Sequence, residues 1–154
     1  MSDLENGLKV MQELVGTETN LTDWFLIDQE RINQFADVTL DHQWIHLDEE
    51  RAKSGPFGQT IAHGLFTLSI MMFLPGEGGG LPQLPGSKLG INYGYDRIRF
   101  PSPVPVGSKI RTRSVLKRAE IKGPMLEVMT EHTVEVEGQD KPACVAENVL
   151  RLVF

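Results

Sequence analysis

The hydrophobic period of this chain changes once, and that change restricts the possible folds more than any other feature of the sequence. Up to residue 74 apolar residues recur at helical spacing, whereas from residue 109 onward they alternate with charged ones at a spacing of two. In the first part, Ser2 and Glu5 form a capping box around Leu4, Leu8, Met11 and Val15, predicting a helix that Gly16 closes. Trp24 to Ile27 reads as a strand. Asp28 caps a second helix whose buried face is Ile32, Phe35 and Ala36, and Asp48 caps a short third one through Lys53, ended by Gly55 and Pro56. His63 to Leu74 is apolar on nearly every side, which predicts a central helix enclosed by other structure.

In the last part, Ile110, Thr112, Ser114 and Leu116 alternate with Lys109, Arg111 and Arg113. Leu126, Val128, Val134 and Val136 alternate with Glu127, Glu131 and Glu135. Turns are expected at Lys122-Gly123-Pro124 and at Glu137 to Asp140, and Ala143 to Phe154 reads as a last strand, apolar on both faces. Helices first and antiparallel strands later predict an α+β fold, one buried helix against a curved antiparallel sheet. The 154 residues suit a single domain. Between the two parts, residues 75–105 hold six of the nine prolines and seven glycines and read as a long irregular connection. Its Gly76 to Gly80 run lacks the Lys-Ser/Thr pair of a phosphate loop, so a surface excursion with a lid role is expected.

Composition serves to exclude. The longest apolar run, Ile61 to Leu74, is shorter than the roughly 20 residues of a membrane span, and no segment of signal-peptide type opens the chain. Cys144 is the single cysteine, so no internal disulfide forms; a cytoplasmic setting and a role as a small core residue are expected. A formal charge of −6 argues against nucleic-acid binding. Charge is nonetheless segregated. Residues 1–50 carry twelve carboxylates against Lys9 and Arg31, while Arg97, Arg99, Lys109, Arg111, Arg113, Lys117 and Arg118 cluster later. Most of these are expected to pair with Glu127, Glu131 and Glu135 across a hairpin; an arginine fork would also suit the phosphates of an anionic ligand.

Two of the four histidines fall in Asp41-His42-Gln43-Trp44-Ile45-His46, and a third, His63, opens the apolar helix. Histidine beside carboxylate points to acid/base chemistry. The pair His42 and His46 also has the spacing of the zinc motif His-Glu-x-x-His, but Gln43 stands where that motif has its general base, and Asp41 and Asp48 mark a break between helices. No metal site is expected.

Phe35 to Asp48, then Ala52, then Ile61-Ala62-His63-Gly64-Leu65, resemble the hydratase motif of the MaoC-like, (R)-specific enoyl-CoA hydratases. The family pattern Asp-x-Asn-Pro-Ile/Leu-His-x-Asp meets Asp41, His46 and Asp48, and its Ile-x-His-Gly-Leu segment meets His63 and Gly64. Arg99 and Phe100 to Gly107 are similar to the family's Arg-Phe-x-x-Pro-Val-x-x-Gly stretch. Gln43 replaces the family's Asn and Trp44 its Pro. The resemblance implies a hot-dog domain over residues 1–154, a homodimer, and reversible hydration of a trans-2-enoyl-CoA to the (R)-3-hydroxyacyl-CoA. It implies that Asp41 and His46 act on one water, in roles left open between base and acid, and that the Gly64 N–H meets the enolate oxygen, with Gln43 and His63 in support. Coenzyme A would be the substrate's handle, so no cofactor is expected. Arg97, Arg99 or Lys109 would meet its phosphates, with a solvated strand face the equal alternative. Two other readings stay open: a hot-dog thioesterase, and a non-catalytic acyl-binding or nodulation-type protein.

Overall fold

The computed structural model describes residues 1–77 and 80–154. Helix α1 (Asp3–Leu14) carries the capping box of Ser2 and Glu5; β1 (Glu18–Leu21), β2 (Phe25–Leu26) and α2 (Gln29–Thr39), capped by Asp28, follow. Two short helices, α3 (Trp44–Leu47) and α4 (Glu49–Lys53), precede α5 (Gly64–Ile70). Four long strands end the chain: β3 (Leu89–Arg99), β4 (Lys109–Lys122), β5 (Met125–Val136) and β6 (Cys144–Val153). All the pairings are antiparallel, in the order β1-β4-β5-β6-β3, with β2 also on β4. No helix among the described residues is long and apolar enough to cross a membrane.

The alternation seen in the sequence sorts the sheet into two faces. Ile110, Leu116, Leu126, Val128, Val134 and Val136 are buried on the inner face. On the outer face, Glu135 binds Arg111 and Arg113, Glu131 meets Lys117, and Glu127 lies between Arg118 and Arg151. The inner face carries two apolar clusters. One joins Phe66, Met71 and Leu74, from α5 and the turn after it, to Ile110, Val134, Val136 and Ala146. The other joins Met11 of α1 and Leu84 to Leu116, Leu126 and Val128. Cys144 lies in the first cluster, where burial raises its thiol to about 11, so it is an unreactive core residue.

Three expectations need correction. The stretch 75–105 is not irregular throughout, because it contains β3, paired with β6 from Leu89↔Val153 to Arg99↔Val145. Its glycines mislead because the pairing shifts register between Asn92 and Gly94, and the Cβ position of Gly90 is 3.3 Å from Leu152, so they serve a bulge and a close approach. The central helix ends at Ile70, not Leu74: Phe73 N–H turns back to the Ile70 carbonyl at 2.9 Å, and Pro75 disfavours helical geometry at Leu74. Nor is it enclosed, since Leu65 is 60% exposed. Residues 78 and 79, in the middle of the Gly76 to Gly80 run to which a lid role was assigned, lie outside the described residues.

Candidate active site

Helix α2 ends at Leu40, whose φ of 67° makes it the one non-glycine in the left-handed region among the described residues. That turn throws Asp41 out of the helix. The Asp41 carboxylate accepts a hydrogen bond from Gln43 N–H at 3.3 Å, which shapes the approach to α3, and Trp44 to Leu47 then make one helical turn that carries His46 inward. His42 and His46 therefore do not share a helix. His42 is exposed and bonded to Asp37 at 3.0 Å, so the zinc-like spacing does not form a site.

His46 is only 6% exposed, and its Nδ1 lies 2.7 Å from the Ile61 carbonyl. A carbonyl only accepts, so Nδ1 donates to it, and Nε2 is the ring nitrogen left free of that bond. The Ile61 segment is itself held, since Ile61 N–H bonds the Ile45 carbonyl at 3.1 Å and Ala62 N–H bonds the Val104 carbonyl at 2.8 Å. His63 stacks on His46 with ring centroids 3.8 Å apart and donates from Nε2 to the Asp41 carbonyl at 3.0 Å. Its Nδ1 is buried and has no hydrogen-bond partner. Burial holds His63 below the usual histidine range, against the opposing hydrogen bond to Asp41, so it is neutral near pH 7. One ligating atom each from Asp41, His46 and His63 lies within 4.8 Å of the others, close enough to share one water, and a donor set that could also hold a metal ion.

Gly64 follows as the first residue of α5, where an N–H has no partner within the helix. A Cβ there would lie 3.1 Å from the Phe100 ring, so the glycine lets the aromatic close over the helix start. His46, Gly64, Thr67, Phe100, Pro103 and Val104 help line a cleft of about 440 Å³. His46, Gly64 and apolar walls thus share one cleft, and exposed Asp41, which does not line it, joins the site through its cluster with His46 and His63.

The other expected residues do not line it. Gln43 is exposed and heads α3 without a side-chain cap. Trp44 packs against Gly55, whose Cβ position is 3.0 Å from the indole, and Arg51 covers the ring at 4.2 Å. Arg97 and Arg99 are exposed on β3, which leads into Phe100, and with Lys109 they have no carboxylate partner among the described residues. Sequence reasoning missed Gln29. Its amide donates to the His46 carbonyl at 2.8 Å and its oxygen accepts from Thr60 at 2.6 Å, so it ties α3 to the strand-like segment that orients His46. A glutamine in the first turn of a helix carries no signal of such a task.

Known proteins resemble this chain in sequence and in fold. The MaoC like domain family matches residues 10–138. The chain is 50% identical over 139 residues to 3-hydroxyacyl-thioester dehydratase Z of Mycobacterium tuberculosis, covering 90% of each chain. It is 42% identical over 152 residues to nodulation protein N of Rhizobium leguminosarum bv. viciae, covering 97% of this chain and 93% of the relative. Among solved structures, the (R)-hydratase from A. caviae involved in PHA biosynthesis shares the fold, with a TM-score of 0.66 at 22% identity, over 88% of this chain and 94% of that one. On this match and on the two motif segments meeting at one cleft, the chain belongs to the MaoC-like dehydratase family, with the hot-dog fold.

Proposed function

We propose that the protein catalyses the reversible, (R)-specific hydration of trans-2-enoyl-CoA to (R)-3-hydroxyacyl-CoA. The observation that carries this reading is the placement of His46, held through Nδ1 by the Ile61 carbonyl, clustered with the Asp41 carboxylate, and lining one cleft with Gly64. In the forward direction a water held by Asp41 and His46 gives up a proton as its oxygen bonds to C3. The electrons of the double bond move into the thioester carbonyl, and the Gly64 N–H stabilises the oxygen that becomes negative. The enolate then takes a proton at C2 from the same pair, so the proton balance closes within the site. His63, neutral and stacked, holds His46 and the Asp41 backbone in place.

The 50% identity to a protein named 3-hydroxyacyl-thioester dehydratase supports the thioester substrate. Arg97 and Arg99, exposed and without carboxylate partners, are assigned to the phosphates of coenzyme A. The reaction asks for no cofactor and no metal, because the base and the electrophile are supplied by the chain. A homodimer is proposed from β3, which ends the sheet and exposes Leu89, Ile91 and Tyr93. The buried lone thiol fits a cytoplasmic protein.

Loss of enoyl-thioester absorbance with crotonyl-CoA and longer enoyl-CoAs tests the reaction. Asp41→Asn and His46→Gln are each expected to lower kcat/KM by about 10²–10⁴-fold. Wild-type rates in either variant, or release of free thiol without hydration, would overturn the reading.

A further inference from the structure

The inner face of the sheet is not apolar throughout. Between its two hydrophobic clusters runs a polar band of Ser114 on β4, Thr130 and His132 on β5, and Asn148 on β6, none more than 7% exposed. The register places Ser114 opposite His132 and Thr130 opposite Asn148, so the band crosses three neighbouring strands. Burying such groups costs folding free energy unless they are paired. They are paired only in part. His132 Nδ1 shares a hydrogen bond of 2.8 Å with Ser114 Oγ, but its Nε2 is buried without a partner. The Asn148 amide donates to Asn92 Oδ1 at 2.8 Å, while Asn20 Oδ1, contributed by β1, has no partner.

Asn20, Ser114, Thr130, His132 and Asn148 line one cavity of about 180 Å³, whose lining also includes apolar Met72, Leu81 and Leu150. No Asp, Glu, Lys or Arg lines it among the described residues. Burial holds His132 at about 4, so the histidine is neutral at physiological pH. The cavity therefore suits an uncharged group that both donates and accepts hydrogen bonds and is carried on hydrocarbon. Its position relates it to the reaction site. Gly64 begins α5 in the catalytic cleft, α5 runs about 9 Å to Ile70 at 1.5 Å per residue, and Met72, two residues past the helix end, lines this cavity.

We propose that this cavity receives a hydroxyl or keto group on the distal part of the acyl chain, making medium-length oxygenated acyl thioesters the preferred substrates. The inference rests on the hydratase reading for its substrate and on the polar band for its specificity. A site whose buried polar atoms are completed by a substrate oxygen discriminates strongly against the chain that lacks it.

The test compares trans-2-decenoyl-CoA with a series bearing a hydroxyl or keto group at successive carbons from mid-chain to the end. Wild type is expected to favour at least one oxygenated chain by about 10-fold or more in kcat/KM. His132→Leu and Asn148→Leu are expected to reduce that ratio to near unity while plain decenoyl-CoA is still hydrated. If a leucine variant does not fold, His132→Asn and Thr130→Val are read by the same ratio. Absence of any preference in wild type, or a preference untouched by all the variants that fold, overturns the inference and leaves a water-filled cavity. If neither chain is hydrated the hydratase reading fails, and calorimetric binding of the saturated decanoyl-CoA and hydroxydecanoyl-CoA series decides the cavity separately. Tighter, His132-dependent binding of an oxygenated chain upholds it, and equal binding overturns it.

Discussion

Gln29 shows how a residue outside the proposed chemistry can position one that is assigned to it. Its amide bridges the His46 carbonyl and Thr60, next to the Ile61 carbonyl that holds the imidazole through Nδ1. Gln29→Leu is expected to lower kcat by about 10–100-fold with little change in KM, because it misplaces the base without removing a substrate contact. The same variant strands the Thr60 hydroxyl, 1% exposed, and should lose about 1–3 kcal/mol in denaturant unfolding. Gln29→Glu, which keeps the acceptor for Thr60 but not the donor to His46, separates the two effects. His132 sets a dependence on pH. Its folded-state value of about 4 lies below the ordinary value of 6.5, so the unfolded chain binds the proton more readily. The stability it secures is therefore complete above about pH 6.5 and is lost as pH falls toward 4, to the extent of about 3 kcal/mol. Unfolding midpoints measured across that interval should fall in wild type, and the fall should be shallower in His132→Leu.

The start of α5 and the segment from Phe100 to Val104 that follows β3 both line the cleft, and each element can be tested. His63, with φ −60° and ψ 137°, already has the extended geometry that a following proline requires. Gly64→Pro therefore keeps the first helical position while deleting its N–H. Its kcat is expected to fall about 10²–10³-fold, the usual cost of one oxyanion donor. Gly64→Ala is the control for the added Cβ, which meets the Phe100 ring at 3.1 Å; the N–H is retained, so its loss should be much smaller. If alanine and proline are equally impaired, the N–H has no catalytic part. Along β3, Arg97→Ala with Arg99→Ala should raise KM for the coenzyme A thioester about 10-fold, leave kcat nearly unchanged, and weaken the dependence of KM on salt. An unchanged KM would assign both arginines to a solvated strand face.

The whole molecule exposes apolar surface where a second copy would be expected. Strand β3 ends the sheet with Leu89 52%, Ile91 45% and Tyr93 60% exposed, and Leu65 and Phe73 stand out from the helical side. Sedimentation of wild type is expected to give a dimer, and Ile91→Lys, which places a charge on that edge, a monomer of reduced activity. A monomeric wild type would dismiss the assembly. Dialysis against a chelator should leave the rate unchanged; loss of activity restored by one divalent ion would instead assign Asp41, His46 and His63 to a metal.

Elements whose period is local are legible from the residues alone: the caps of α1, α2 and α4, the two-faced strands β4 and β5, and the motif segments that carry His46 and Gly64. Capping and alternation are written within a few residues of each other, so they can be read without the fold. The tertiary structure alone decided β3, whose glycines look like breakers until β6 supplies their partners. It also decided the placement of His46, held by a carbonyl fifteen residues away, and the polar band, where Ser114, His132 and Asn148 become one cavity only through strand register. Hydrogen bonds and cavities depend on distances through space, and those exist only once the chain has closed on itself.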